Sequence, residues 1–436
     1  MKTTLSSLLL RDLCSCPLCI DPSTKQKLFS TAEIPANIEA NQINFIELGT
    51  KHGEAEVVWK NDIPGLGDEH VSRFDAAALA AVDAGNVTTL QSVKEIRRVF
   101  WNAEEFAHDV PDIEYESYMS DHNVLLKALK TLRSHGLVFL TGVPDSEAAV
   151  ADITTRIGPL KNTFYGSTWD VRSVPQAKNV AYTSQDLGFH MDLLYTHQAP
   201  HLQFLHCIRS SSVGGASLFT DSFRAAARLF ERDPEAFQTL TSIRAAFHYN
   251  HPDSHYYYRS RRTIEIKPQI SGGLKDNNLK ELKEFNADPE RRRLEPHSPL
   301  NIENWINYVN WSPPFQAPFP APDNLPNFTL RSYQPPAAQR LSVAIEKWHA
   351  AAQKFNKIIH EESSIVERMM RPGECVIFDN RRVLHARRAF EVGDAGKERW
   401  LRGAYLDKDP YLSKLAVLQM QLGSAVQEIP AKEIAA

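Results

Sequence analysis

The chain has 436 residues, of which 42% are hydrophobic and 23% charged, and its formal net charge is −4. A chain of this length can bury a full core and form two domains. The slightly negative charge argues against a nucleic-acid partner, and no apolar stretch approaches the roughly 20 residues that a membrane span needs, so we expect a soluble protein without a membrane contact.

Three of the five cysteines are crowded near the start of the chain, as Cys14, Cys16 and Cys19. This spacing is not typical of a disulfide framework and favours a reducing, cytoplasmic compartment. Three thiolates and a fourth ligand would complete a tetrahedral Cys3His zinc site, which would be structural because no open position remains. The alternative, three unrelated buried cysteines, explains the clustering less well.

The sequence predicts two domains. Residues 1–105 contain short strand patterns such as 55–59 and predict a small N-terminal zinc-binding α+β domain. Residues 106–436 predict a larger catalytic domain. It opens with a helix over 121–136, in which Leu125, Ala128, Leu129 and Leu132 repeat at helical spacing and a glycine marks the end.

Short apolar strands dominate the second domain. The segments 137–140, 202–208 and 375–378 are separated by turn-rich sequence, which is typical of a double-stranded β-helix, or jelly roll, with a pocket in its mouth. The chain closes with a helix whose leucine stripe, at 412, 415, 418 and 422, fits either the core or a homodimer face. The predicted fold class is therefore mainly β with flanking helices.

A metal-ligand pattern runs through this domain. His190 and Asp192 are two residues apart, so on an extended strand they would point to one face, and His385 follows a buried strand far along the chain. Two histidines and one carboxylate leave three octahedral positions open, as in the facial triad of non-haem Fe(II) oxygenases. Arg399 could pair with the far carboxylate of a 2-oxoacid cosubstrate. A lone His-x-Asp would be better explained as a loop pair; the ordered set favours iron.

Further motifs carry a family resemblance. They are Phe-Tyr-Gly-Ser-Thr-Trp at 164–169, Asn-Val-Ala-Tyr-Thr at 179–183, Gly-Gly-Ala-Ser at 214–217, Phe-Asp-Asn-Arg at 378–381 and Leu-Arg-Gly-Ala-Tyr at 401–405, together with the cysteine cluster. The chain resembles the gamma-butyrobetaine dioxygenase branch of the Fe(II)/2-oxoglutarate oxygenases, whose relatives include trimethyllysine dioxygenase and taurine dioxygenase. The resemblance covers almost the whole chain and is weakest over 267–300, which we interpret as a charged, solvated surface insertion.

The resemblance implies a full set of cofactors. Iron would be held by His190, Asp192 and His385, and 2-oxoglutarate by Arg399 with help from Ser217. Ascorbate is an expected reductant. His70 occupies the family's position for the fourth zinc ligand, with His52 as the second choice.

The resemblance also implies a substrate site. Tyr165, Trp169, Tyr182 and Tyr405 match the aromatic residues that surround a trimethylammonium group in gamma-butyrobetaine dioxygenase. A quaternary ammonium cannot donate a hydrogen bond, so the negative faces of aromatic rings suit it. At the other end of the substrate, Asn179 matches a carboxylate-binding residue, and Asn310 or Asn307 is a candidate second partner. Any one of these rings alone would be better explained as core.

The expected function is therefore hydroxylation of a small trimethylammonium carboxylic acid, with gamma-butyrobetaine converted to L-carnitine in carnitine biosynthesis. Two alternatives from the same class stay open, namely a trimethyllysine hydroxylase and a biosynthetic 2-oxoglutarate oxygenase with a remodelled pocket. A zinc-binding protein without iron chemistry is the alternative from another class, and the intact triad argues against it.

Overall fold

The computed structural model describes residues 5–46, 53–66, 70–75, 79, 96–172, 183–211, 213–267, 276–320, 337–391 and 399–425. The chain divides into two compact units, Met1–Lys94 and Glu95–Ala436. The division thus falls close to, but earlier than, the boundary at 105/106 that we expected from the sequence.

The β-strands of the described residues are β1 Glu39–Ile46, β2 Glu54–Lys60, β3 Val71–Asp75, β4 Ile113–Glu114, β5 Leu137–Thr141, β6 Thr168–Arg172, β7 Leu187–His190, β8 Leu202–Arg209, β9 Ser217–Asp221, β10 Arg244–His251, β11 His255–Arg262, β12 Ile264–Ile266, β13 Ile306–Val309, β14 Gln316–Ala317, β15 Val366–Arg368, β16 Glu374–Asp379, β17 Val383–Arg387 and β18 Trp400–Leu406. The α-helices are α1 Ser7–Asp12, α2 Ala103–Asp109, α3 Tyr115–Ser120, α4 His122–Ser134, α5 Ala149–Thr155, α6 Ser222–Arg232, α7 Pro234–Ser242, α8 Asp276–Ala287, α9 Pro289–Leu294, α10 Ala337–Ile359 and α11 Lys408–Ala425.

The N-terminal unit is built on the antiparallel sheet β1-β2-β3. Burial alternates along β2, where Ala55, Val57 and Trp59 face inward, as expected for a sheet with one solvated face. The Trp59 indole donates a hydrogen bond to the buried Ser72 hydroxyl over 2.7 Å, so its polar group is satisfied inside this small core.

Two sheets of the second unit position the site described below. The first has six strands in the order β4-β5-β16-β8-β18-β6, and the second has four in the order β15-β9-β17-β7. Strands β5, β8 and β16 are buried almost throughout, which explains their continuous apolar sequence. The three strand segments predicted from that pattern are confirmed.

The predicted helix over 121–136 is confirmed as α4. Asp121 caps its start by accepting a hydrogen bond from the Asn123 amide over 2.7 Å. Gly136 follows its end with φ of +78°, a conformation that disfavours other residues, and a Cβ there would lie 3.2 Å from Arg382 and Val383.

The terminal leucine stripe belongs to the core. Leu415 and Leu418 of α11 are buried in the same cluster as Leu125 and Leu129 of α4, and Leu412 and Leu422 pack against that cluster. The stripe therefore supplies no free dimer face, and a homodimer stays a prediction.

The interpretation of 267–300 as a solvated insertion is wrong for part of its described residues. Leu282 and Phe285 of α8 are buried. The buried Asn286 side chain donates to the carbonyls of Leu282 and Leu300 and accepts from the Ile302 amide. These hydrogen bonds fix α8 to the segment that follows it. The charged residues of this region therefore belong to a helix that also has a buried, apolar face.

Within the described part of the chain, no helix combines the length and the apolar character that crossing a membrane requires.

Candidate active site and zinc site

A cavity between the two large sheets collects most of the predicted site residues. Strands β6, β8 and β18 of the six-stranded sheet and β7, β9 and β17 of the four-stranded sheet contribute to its wall. The predicted residues that line it are Tyr165, Trp169, His190, Asp192, Ser217, His385, Arg399 and Tyr405. Residues separated by more than 200 positions in the sequence therefore share one pocket.

The three predicted iron ligands meet at one wall of this cavity. His385 on β17 lies directly opposite His190 on β7, and their ring centroids are 4.1 Å apart. His190 Nε2 lies 3.5 Å from Asp192 Oδ1, and His385 Nε2 lies 4.0 Å from Asp192 Oδ2. One ligand atom from each residue falls within 4.8 Å of the others, so the set fits a single metal ion.

We expect from the sequence that Asp192 and His190 share one strand, but the structure places Asp192 beyond the end of that strand. Strand β7 ends at His190, and Asp192 belongs to the turn after it. Asn380 holds this turn, because its Oδ1 accepts from the Asp192 amide over 2.8 Å and its Nδ2 donates to the Asp192 carbonyl over 3.0 Å. The Asp192 carboxylate is therefore placed near the two histidines by a hydrogen-bonded turn, and not by the alternation of side chains along a strand.

Two further side chains orient the Asp192 carboxylate. Oδ2 accepts one hydrogen bond from the Tyr405 hydroxyl, over 2.7 Å, and one from Gln203 Nε2, over 2.8 Å. Oδ1, which faces His190, receives no such bond from the described residues. The carboxylate is therefore held through Oδ2, while Oδ1 faces His190, an orientation that suits a metal ligand.

The electrostatics also fit a cation bound by neutral imidazole and an ionised carboxylate. Burial, reinforced by the neighbouring His190, lowers the pKa of His385 to about 3, so its ring is neutral at pH 7. His190 Nδ1 lies 2.9 Å from the Gly188 carbonyl, which favours a proton on Nδ1 and a lone pair on Nε2. Burial alone would raise the pKa of Asp192, but the two histidines and the hydrogen bonds from Tyr405 and Gln203 lower it overall.

Arg399, the arginine predicted to bind the cosubstrate, is a buried cation. Its side chain lines the cavity and packs over the Phe390 ring, and the whole residue is 5% exposed to solvent. Burial lowers the pKa of Arg399 to about 10, so it remains charged at neutral pH. Among the described residues no carboxylate pairs with it, which leaves it available for an anionic ligand.

The glycine-rich motif makes room for this arginine. Gly215 has φ of +83°, and a Cβ on it would lie 2.5 Å from the Ser211 hydroxyl and 3.3 Å from Arg399 Nε. Ser217 opens β9 two residues later and lines the same cavity. Ser217 and Arg399 are therefore lining residues of one cavity, with Gly215 in contact with the arginine.

Three of the four predicted cage rings are described and line the cavity. Trp169 and Tyr405 are stacked on each other, with ring centroids 3.9 Å apart and an interplanar angle of 22°. Gly403 permits this contact, because a Cβ there would lie 2.5 Å from the Trp169 ring. Tyr165 lines the cavity beside Tyr195, with 3.5 Å between their hydroxyl oxygens.

Two predicted substrate residues, Asn179 and Tyr182, lie outside the described residues. Asn310 is placed elsewhere, since it is buried and does not line the cavity. Its Nδ2 donates to the Arg262 carbonyl and to the Glu265 carboxylate, and its Oδ1 accepts from Arg381. This bonding gives Asn310 a structural role instead of the expected contact with substrate.

The N-terminal unit brings the four predicted zinc ligands together. His70 Nε2 lies 3.4 Å from Cys14 Sγ and 3.3 Å from the Sγ atoms of Cys16 and Cys19. Tetrahedral zinc, with Zn–S of about 2.3 Å and Zn–N of about 2.0 Å, would set these separations at about 3.6 Å, so the cluster fits the ion closely. His52 lies outside the described residues.

A buried ion pair supports the cluster. Asp62 Oδ2 lies 2.6 Å from His70 Nδ1, and Asp62 Oδ1 accepts from Arg11 Nε over 2.6 Å. Arg11 also reaches Cys19 Sγ, at 3.4 Å from its terminal nitrogen. A carboxylate behind a ligating histidine and a cation beside a thiolate are common supports of zinc sites.

Sequence reasoning missed several residues of both sites. Gln203, Tyr195 and Phe315 line the cavity, and Asp62 and Arg11 hold the cysteine cluster. Gln203 carried a usable signal, because a polar residue inside the apolar run of β8 needs a buried partner. The others had no local signal.

Comparison with known proteins agrees with the motifs. The family model described as "Taurine catabolism dioxygenase TauD, TfdA family" matches residues 93–405. Dioxygenase str8 of Strobilurus tenacellus is 33% identical, over 92% of this chain and 82% of its own.

Two further relatives bear the names that the motifs suggested. Gamma-butyrobetaine dioxygenase of Pongo abelii is 27% identical, over 95% of this chain and 90% of its own. Trimethyllysine dioxygenase of Meyerozyma guilliermondii is 24% identical, over 94% and 89%. The resemblance seen in the sequence is confirmed, and the chain belongs to the TauD/TfdA family of dioxygenases.

Proposed function

We propose that this protein is an Fe(II)- and 2-oxoglutarate-dependent hydroxylase of a small trimethylammonium carboxylic acid, and that it converts gamma-butyrobetaine to L-carnitine. The observation that carries the proposal is a single cavity that contains the His190, Asp192 and His385 cluster, several aromatic rings and Arg399, which has no carboxylate partner among the described residues. Two relatives named for trimethylammonium substrates support the substrate class.

The proposed roles follow from the contacts. His190, Asp192 and His385 would hold Fe(II), which, when bound with 2-oxoglutarate and dioxygen, would supply the oxidising power for C–H hydroxylation, with succinate and carbon dioxide as co-products. Arg399 would bind the far carboxylate of 2-oxoglutarate in a charge-assisted pair, and the Ser217 hydroxyl, which lines the same cavity, would donate a further hydrogen bond. Ascorbate would serve as the reductant.

The remaining wall of the cavity would position the substrate. Tyr165, Trp169, Tyr182 and Tyr405 form the proposed cage, and Asn179 is the proposed carboxylate partner. Each well-placed ring would contribute roughly 0.5–2 kcal/mol of binding free energy. Leu187, Leu205, Phe219 and Leu401 also line the cavity and would exclude water from the reacting atoms.

The proposal extends to the architecture. Two large sheets with the site between them support the double-stranded β-helix expected for residues 106–436. In the N-terminal unit, Cys14, Cys16, Cys19 and His70 are proposed to bind a structural zinc ion.

Two observations favour a second candidate, a biosynthetic oxygenase with a remodelled pocket. Trp169 and Tyr405 stack at 3.9 Å, so a trimethylammonium group cannot sit between their faces. Asn310 is also absent from the cavity wall. A different substrate would explain both features. Trimethyllysine stays the alternative within the trimethylammonium class.

A succinate-release assay tests the proposal. The purified protein would receive Fe(II), 2-oxoglutarate and, in separate reactions, gamma-butyrobetaine, trimethyllysine or a neutral analogue with a tert-butyl group in place of trimethylammonium. We expect release with gamma-butyrobetaine that depends on added Fe(II), L-carnitine as the product, and much slower turnover of the neutral analogue. Equal turnover of the neutral analogue, or none of gamma-butyrobetaine, would contradict the substrate assignment.

A further inference from the structure

A second cavity in the same unit has a different character from the catalytic one. Its volume is about 300 Å³, compared with about 80 Å³ for the catalytic cavity. It shares no lining residue with the catalytic cavity. Five basic residues, Arg97, Arg98, Arg133, Lys267 and Lys408, line it, and Glu303 is the one carboxylate among its described lining residues.

The positive charge in this cavity is poorly balanced. Within the described parts of the chain, no carboxylate lies within 4.0 Å of a charged nitrogen of Arg97, Arg98, Arg133 or Lys408. Glu303 lies 3.9 Å from Arg292 and also interacts with Arg97, so its single negative charge is shared between a cation outside the cavity and one inside it. A cluster of this kind creates a positive potential that attracts anions.

Arg98 is partly buried and has contacts on two sides. Its Nη1 atom donates to the Ile306 carbonyl over 2.6 Å, and its guanidinium packs over the Phe223 ring. Burial, reinforced by Arg133 and Arg382 and only partly opposed by Asp379, lowers the pKa of Arg98 to about 10. Cations that repel one another in this way gain stability when a shared anion binds. Packing accounts for Arg98, but it does not account for Arg97 and Arg133 in the same wall.

We propose that this cavity binds a phosphate group, either as inorganic phosphate or as part of a small phosphorylated metabolite. Arginine guanidinium groups offer paired donors in a planar arrangement that matches phosphate oxygens, and Lys408 adds a point charge. The lining residues include three arginines and one carboxylate, so the charge of the cavity suits a doubly charged anion such as phosphate. Arg399, by contrast, is expected to bind a single carboxylate. The site is separate from the proposed iron chemistry and does not depend on it.

Calorimetric titration of the full-length protein tests the proposal. The probes are inorganic phosphate, glycerol 3-phosphate and citrate, each at the same ionic strength. Saturable binding of inorganic phosphate or the phosphate ester supports the proposal, and tighter binding of the ester identifies a metabolite as the source. Binding of citrate alone, or no saturable phosphate binding, would overturn it.

Variants locate the site. Arg133→Gln should weaken phosphate binding about tenfold or more, because it removes a charge-assisted contact. Arg97→Gln, which changes an exposed side chain, should weaken binding as well and provides a second test if Arg133→Gln lowers stability. Arg371→Gln changes an exposed arginine outside the cavity and should leave binding unchanged. Arg399→Gln should also bind phosphate normally. Equal loss in Arg371→Gln, loss confined to Arg399→Gln, or no loss in Arg97→Gln and Arg133→Gln would each overturn the proposal.

Discussion

The hydroxyl of Tyr405 donates a hydrogen bond to Oδ2 of Asp192 over 2.7 Å, although the family resemblance assigns Tyr405 to a substrate cage. Burial and the nearby Asp192 carboxylate raise the pKa of Tyr405 well above its usual value, so the hydroxyl stays protonated and can donate. Tyr405 therefore has two contacts: its ring stacks within the aromatic cluster, and its hydroxyl is hydrogen-bonded to a proposed iron ligand.

Tyr405→Phe separates these two roles. The substitution removes the hydrogen bond to Asp192 but keeps a ring that can stack on Trp169, so we expect Fe(II) affinity to fall about 10-fold to 100-fold. KM for gamma-butyrobetaine at saturating iron should change little. The measurement is Fe(II) titration followed by binding spectroscopy and by succinate release. Unchanged iron affinity would show that the hydrogen bond does not support the metal site.

Trp169→Leu gives the complementary result. It keeps apolar volume but removes the ring with the strongest quadrupole, so binding of gamma-butyrobetaine should weaken by roughly 1–2 kcal/mol. KM for 2-oxoglutarate should stay nearly constant, because that cosubstrate is proposed to contact Arg399. Steady-state kinetics with each substrate varied in turn would measure both constants. A parallel rise of both KM values would indicate general damage to the pocket.

Removal of an iron ligand should abolish turnover. In His190→Ala or Asp192→Ala, two remaining ligands no longer hold the metal with the open positions required for cosubstrate and oxygen. Succinate release at saturating iron should fall to a few per cent of wild type or less, while circular dichroism shows a folded protein. Higher residual activity in either variant would refute the assignment of the triad.

Arg399→Gln should raise KM for 2-oxoglutarate about 10-fold to 100-fold, because a charge-assisted pair with a carboxylate is worth roughly 1.5–3 kcal/mol. Arg388→Gln is the matched control, since Arg388 is exposed and pairs with Glu367 at 3.2 Å on the surface. The control should leave KM unchanged. If both variants behave alike, the effect comes from charge on the protein rather than from a contact in the cavity.

Cys16→Ser should lower zinc content and the thermal unfolding temperature together, because metal binding and folding of a small zinc-bearing unit are coupled. Metal analysis of freshly purified protein should show about one zinc per chain in the wild type, retained after iron is removed. Cys207→Ser, which changes a buried cysteine outside the cluster, should keep its zinc. Wild-type protein without zinc would contradict the assignment.

Stability should fall in mild acid partly because of His206. This imidazole is fully buried, and neither ring nitrogen has a hydrogen-bond partner among the described residues. Burial lowers the pKa of His206 to about 4, compared with 6.5 for an ordinary histidine. Between these values the unfolded chain binds more protons than the folded one, so the free energy of unfolding decreases as the pH falls from 6.5 to 4.

His206→Phe should reduce this loss by roughly 2–3 kcal/mol across that pH range. Denaturant unfolding at several pH values measures the difference. The exposed His349→Phe serves as the control and should retain the wild-type slope. An identical slope in His206→Phe would mean that other groups determine the acid sensitivity.

The sequence alone predicted the elements and residues whose signals are local. Helix α4 followed from apolar residues at helical spacing and a terminal glycine, and strands β5, β8 and β16 from short apolar runs. The cysteine cluster was visible because its members are close in the chain. The motif order brought His190, Asp192, His385 and Arg399 into one hypothesis before any distance was known.

Only the tertiary structure decided how the polar atoms pair. The register between β17 and β7 sets His385 opposite His190, and Asn380 holds Asp192 in a turn rather than on the strand. Gln203 donates a hydrogen bond to Asp192 in the site, whereas the Asn310 side chain is hydrogen-bonded to Glu265 and Arg381. Such partners lie tens to hundreds of residues apart, and their meeting depends on strand register and on burial, because a buried polar group binds whichever partner the packing brings within reach.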